Sequence, residues 1–105
     1  MTISDEQISD LIKRIVEAVD PVRIILFGST ARGEAGRHSD IDVLVVVKEG
    51  SHRRKSAQVI YHWLLGFGIP VDVVVATPSD MEQYHDSPGL VYREAIRDGI
   101  ELYAA

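Results

Sequence analysis

The chain contains no cysteine, which excludes disulfides, thiolate metal sites and a thiol nucleophile. No apolar run approaches the roughly 18–20 residues of a membrane span. The first residues, MTISDEQISD, lack the basic and then apolar sections of a signal peptide. These absences predict a cytoplasmic protein with no membrane contact. Positive charge is also scarce. Lys and Arg number 11 against 16 Asp and Glu, a net charge of −5, which argues against a broad binder of phosphate backbones and so against direct nucleic-acid contact. The four histidines, His38, His52, His62 and His85, have no zinc-ligand spacing. No internal repeat, low-complexity tract or linker interrupts the chain, so residues 1–105 are read as one domain.

What is present is an ordinary globular composition, 46% hydrophobic and 26% charged, in a length that allows a modest core. Ser4 and Gln7 have capping-box spacing, and Ile8, Leu11, Ile12, Ile15, Val16 and Val19 form a helical stripe that Asp20-Pro21 ends. Val22–Phe27 and Asp40–Val47 read as strands, separated by a polar segment over 29–38 that suits a turn and a short helical turn. Ser51 is placed to cap a second helix with Ala57, Ile60, Trp63 and Leu64 facing the core. Pro70–Ala76 is a third strand. Thr77-Pro78 and Ser87-Pro88 open two short helices, the second ending at Gly99, and Ile100–Tyr103 is a short last strand. The expected fold class is α/β, a small mixed sheet of three to four strands packed with helices. Strands two and three are apolar on both faces, so an apolar patch left for a partner is expected, and a homo-oligomer would cover the same faces.

An otherwise apolar second strand begins with two aspartates. Asp40 and Asp42, two apart, point to the same side. The long helical connection from strand two to strand three suits a parallel crossover, which brings Asp72 to the same end of the sheet. An antiparallel first strand would end there too, at Gly28-Ser29. Three carboxylates brought that close repel one another unless a cation lies among them. A hard divalent ion such as Mg²⁺ uses a few carboxylates plus substrate phosphates. Backbone N–H groups of the Gly28-Ser29 turn and the Ser29 hydroxyl are suited to phosphate oxygens. A phosphate cradle beside metal-binding carboxylates points to phosphoryl or nucleotidyl transfer. At usages of roughly 5–7% per residue type, Gly-Ser and Asp-x-Asp at a fixed spacing arise by chance on the order of once in a thousand chains of this size.

The stretch GSTARGEAGRHSDIDVLVV, Gly-Ser followed after ten residues by Asp-x-Asp, resembles the signature of the DNA polymerase β-like nucleotidyltransferase superfamily. Its wording GSTARG…SDID and the small size resemble the minimal nucleotidyltransferase (MNT) branch. The resemblance implies the polymerase β-like nucleotidyltransferase fold, with Asp40, Asp42 and Asp72 as catalytic and metal residues holding Mg²⁺, two ions being expected. It implies that Asp72 helps activate the attacking hydroxyl and that Gly28 and Ser29 bind the triphosphate of ATP. Arg32 recurs in the family wording and would contact either the nucleotide or a nearby carboxylate. Many members of this branch are encoded beside a HEPN-domain ribonuclease toxin and act as its antitoxin, transferring AMP from ATP to a tyrosine of that toxin. About 30 residues follow strand three, too few for an acceptor-holding domain, so a partner protein is expected to present the acceptor. The alternatives are an idle MNT fold that neutralises its partner by binding alone, and nucleotidyl transfer to a small molecule. Arg53-Arg54-Lys55 falls at the far end of the sheet, as a solvated or partner-facing patch.

Overall fold

The computed structural model describes residues 3–28, 40–84 and 91–105. Helix α1 (Asp5–Val19) starts with a closed capping box: Ser4 Oγ accepts from the Gln7 N–H at 3.1 Å, and the Gln7 side-chain oxygen accepts from the Ser4 N–H at 2.8 Å. Asp20, in the left-handed region at φ 47°, stops it before Pro21. Strands β1 (Arg23–Phe27) and β2 (Ile41–Val46) pair antiparallel. Helix α2 (Arg53–Trp63) then crosses back, and β3 (Val71–Ala76) pairs parallel with β2. After α3 (Pro78–Tyr84) and α4 (Val91–Asp98), β4 (Ile100–Ala104) pairs antiparallel with β1. The sheet is mixed, as the sequence predicts, and its order is β3-β2-β1-β4.

Both faces of the central strands are covered, which explains their unbroken apolar runs. On one face Ile24, Leu26, Ile41, Val43, Val45 and Val47 pack with Leu11 and Ile15 of α1 and Ile60 of α2. On the other, Ile25, Phe27, Leu44, Val46 and Ala76 pack with Met81 of α3 and Ala95 of α4. Leu11, Ile15, Ile24, Leu44 and Ile60 are fully buried, each worth about 1.5–3 kcal/mol relative to exposure.

Two expectations about α2 need correction. Its cap is His52, whose Nδ1 accepts from the Lys55 N–H at 3.2 Å, while the Ser51 N–H is held in the preceding turn by the Lys48 carbonyl. Trp63, expected in the core, is 41% exposed. The inward ridge runs through Ala57, Ile60 and Leu64, and the rotation of about 100° per residue puts Trp63 on the flank beside it. The Ser87-Pro88 helix start and the turn over 29–38 lie outside the described residues.

The far end of the sheet is tied by one carboxylate. Thr77 caps α3 as expected, its Oγ1 accepting from the Asp80 N–H at 3.3 Å while Asp80 Oδ2 accepts from the Thr77 N–H at 3.0 Å. Asp80 also takes Arg53 Nη1 at 2.8 Å, offsetting a cation placed at the α2 N-terminus. Glu49 accepts from the Ser79 N–H at 2.6 Å. The Thr77 N–H is the largest influence holding the Asp80 carboxyl below its ordinary value of 3.8; burial opposes it, and Arg53 and the Thr77 hydroxyl add to the lowering. A native pKa below the unfolded one gives stability that is complete above the unfolded value and is lost as pH falls through the native one. Asp80→Ala is expected to cost about 1 kcal/mol at neutral pH. In thermal melts across pH, that difference from wild type should shrink once the pH drops below about 4.

Candidate active site at the carboxylate edge

The start of the β2–β3 pair is fixed by the Ile41 N–H, which donates to the Pro70 carbonyl at 3.0 Å. From there the parallel register runs Ile41 opposite Val71 and Asp42 opposite Asp72. Ile41 turns into the α1/α2 core. Asp42 therefore lies on the other face, in the row that continues with Leu44 and Val46. Asp72, its register partner, shares that face. Asp42 is half-buried and Asp72 exposed, while Asp40, exposed, stands one residue before β2 on the same side of the alternation.

The antiparallel register of β1 brings Phe27 opposite Asp42, with Gly28 next in the chain. Gly28 has φ +77°, a conformation that favours glycine. A Cβ built at residue 28 would collide with the Asp42 carboxylate oxygen and lie 3.2 Å from its Cγ. The backbone at Gly28 thus closes directly over the side chain that the register aims at the sheet edge. Ser29 and Arg32, expected to bind the nucleotide, lie outside the described residues.

The structure brings Asp42, Asp72 and Gly28 together and places Asp40 beside them along the chain. Among the described residues, no group of three or more His, Asp or Glu side chains is arranged to hold a metal ion. Two carboxylates on adjacent strands, backed by a glycine, form an open set of hard oxygen donors. That set fits Mg²⁺, which retains water and takes substrate phosphate oxygens rather than a protein cage. Arg53 and Arg54, with Ser51 and His52, line a cleft of about 430 Å³ at the opposite end of the sheet, away from the aspartates. Sequence reasoning missed that Asp80 binds Arg53; the Thr77-x-x-Asp80 spacing was the available signal.

The nucleotidyltransferase domain family matches residues 7–100 of the chain. The chain belongs to it. Two proteins of Methanocaldococcus jannaschii, each bearing the name putative protein adenylyltransferase, resemble this nucleotidyltransferase domain. One is 34% identical over 67 residues, 59% of this chain and 46% of the relative. The other is 47% identical over 38 residues, 36% of this chain and 38% of the relative. The aligned part is thus less than half the length of either relative. Among solved structures, a putative nucleotidyltransferase from Sulfolobus solfataricus shares the fold with a TM-score of 0.64 at 18% identity, over 94% of this chain and 78% of that one. A toxin–antitoxin complex crystallised with AMP-PNP shares it with a TM-score of 0.67 at 22% identity, over 93% of this chain and 73% of that one. These matches agree with the resemblance to the minimal branch seen in the sequence.

Gly28→Ala tests the close approach. The added methyl must displace the Asp42 carboxylate or the turn, and a left-handed residue bearing a Cβ costs about 1–2 kcal/mol. The expected result is a lower melting temperature together with loss of nucleotidyl transfer, read by calorimetry and by pyrophosphate release.

Proposed function

We propose that the chain is an Mg²⁺-dependent nucleotidyltransferase that moves AMP from ATP to a protein hydroxyl, a tyrosine of a HEPN-domain ribonuclease toxin, and so acts as its antitoxin. The observation that carries the reading is the pairing of Asp42 with Asp72 in register under Gly28, in a chain of the nucleotidyltransferase domain family. The names of its relatives, protein adenylyltransferases, and its fold likeness to toxin–antitoxin structures support the acceptor class.

In this reading Asp40, Asp42 and Asp72 hold Mg²⁺, which when bound neutralises phosphate charge and draws the acceptor oxygen and the nucleotide together. Gly28 offers its backbone to the triphosphate, with Ser29 and Arg32 contributing to its binding. The tyrosine oxygen attacks the α-phosphorus of ATP, a new P–O bond forms, and the bond from the α-phosphorus to the bridging oxygen breaks, releasing pyrophosphate. Asp72, exposed at the edge, accepts the phenolic proton. ATP is favoured as donor by the same names and fold likenesses, and work on a toxin acceptor suits a cytoplasmic location.

Intact-protein mass spectrometry tests this reading. The purified chain would be incubated with Mg²⁺, ATP and the product of the adjacent gene. Wild type is expected to add whole AMP units to that product, and Asp42→Asn to do so at least about a hundredfold more slowly. No gain from wild type, with the two proteins still co-purifying, would leave a binding-only antitoxin.

A further inference from the structure

Asp72 stands on the less supported of the two strands that carry the carboxylates. Strand β2 lies between β1 and β3, whereas β3 is at the end of the sheet order and pairs with β2 alone. The Ile41 and Val47 N–H groups donate to the carbonyls of Pro70 and Ala76, at 3.0 and 2.8 Å. Even-numbered residues of β3 therefore turn their backbone groups toward β2, and odd-numbered residues turn theirs outward. The N–H of Val73, directly after Asp72, faces out from this edge, where no strand is present to accept it. The Tyr61 hydroxyl of α2 accepts it instead, at 2.9 Å.

The helix that carries this hydroxyl is itself fixed in rotation and at its end. Ile60 is fully buried in the α1/α2 core, while its neighbour Tyr61 is 44% exposed, on the flank that meets β3. Arg14 of α1 donates through Nη1 to the carbonyls of Trp63 and Leu65, at 2.9 Å each, where a helix end leaves carbonyls without an internal partner. Its Nε donates to both Asp10 oxygens at 3.1 Å, and its guanidinium lies 5.7 Å from the centre of the Phe67 ring. Ile60 thus sets the rotation of α2 and Arg14 sets its end. Tyr61 carries that placement to the outer side of β3.

The two carboxylates differ in what holds them. Asp42 is half-buried on a strand paired on both sides, beneath Gly28. Asp72 is exposed, and its backbone has the ladder to β2 on one side and the Tyr61 bond, one residue on, at the other. Loss of a group that orients a metal ligand from outside the ligand set typically costs about 10–100-fold in metal affinity or activity. The Tyr61–Val73 bond lies at an exposed edge, so water can take the N–H when the hydroxyl is removed. The bond therefore contributes to placement more than to stability.

We infer that Tyr61 is a positioning residue of the carboxylate edge: by holding the Val73 N–H it fixes Asp72 opposite Asp42, where the two can share a cation. This rests on the Mg²⁺-dependent reading above. The test compares wild type with Tyr61→Phe, which removes the hydroxyl and keeps the ring, and with Asp80→Ala, which weakens the fold from the far end of the sheet. Each protein is melted in EDTA and across graded Mg²⁺. Pyrophosphate release is then followed with ATP, saturating Mg²⁺ and the purified adjacent-gene product. Tyr61→Phe is expected to melt close to wild type in EDTA but to need about tenfold more Mg²⁺ for half of its melting shift. Its kcat is expected to fall about tenfold, with the KM for ATP nearly unchanged. Asp80→Ala is expected to melt lower in EDTA and to keep the wild-type Mg²⁺ half-point. Tyr61→Gln, whose side chain is too short for the bond, carries the test if Tyr61→Phe fails to fold. A folded Tyr61 variant with wild-type half-point and kcat overturns the inference and leaves the Mg²⁺ reading standing. A half-point raised equally by Asp80→Ala also overturns it, because general loosening would then be the cause. If wild type responds to Mg²⁺ without transferring AMP, the melting half-points alone decide. A wild type that neither responds to Mg²⁺ nor releases pyrophosphate overturns the Mg²⁺ reading and this inference with it.

Discussion

Two aspartates face each other as register partners on adjacent parallel strands, whose spacing is about 4.8 Å. Carboxylates so placed share one edge of the sheet, and the register keeps them there. Sliding β3 by one residue would move Asp72 to the other face, but it would also turn the whole apolar row out of its core. The Ile41 bond to Pro70 and the buried rows through Val43, Val45, Leu44 and Val46 hold the register. The pairing is therefore built in by the same packing that stabilises the domain, and it sets two hard oxygen donors side by side, as the proposed cation site requires.

The rest of the molecule is arranged around that edge. Strand β1 ends beside Asp42 because it is antiparallel to β2, and its next residue must be glycine to fit over the carboxylate. At the opposite end, carboxylates have partners of another kind: Asp80 takes backbone N–H and Arg53, and Glu49 takes the Ser79 N–H. Acidic groups thus serve two purposes in one small domain. Those at the far end satisfy helix starts, and those at the near end are aligned by register toward the sheet edge.

Much of this was legible in the sequence. The α1 capping box, the Asp20-Pro21 stop, the four strands and the convergence of Gly28, Asp42 and Asp72 follow from spacing and from the handed, helical crossover that parallel strands require. The misses concern α2. Ser51 is the better cap by propensity, yet the turn after β2 engages its N–H and leaves His52 in the cap position. Trp63 looked like core because it is large and apolar, but a few tens of degrees of helix rotation decide between ridge and flank. Long-range side-chain bonds, such as Arg14 to the Trp63 and Leu65 carbonyls or Tyr61 to Val73, leave no local pattern to read.

The most direct test of the proposed reading, that the Asp42–Asp72 pair holds a cation, is a melting experiment on wild type and Asp72→Asn in EDTA and in excess Mg²⁺. The account predicts that Mg²⁺ raises the melting temperature of wild type and barely moves that of the variant. A wild type that does not respond to Mg²⁺, or a variant that gains as much from it, would contradict it.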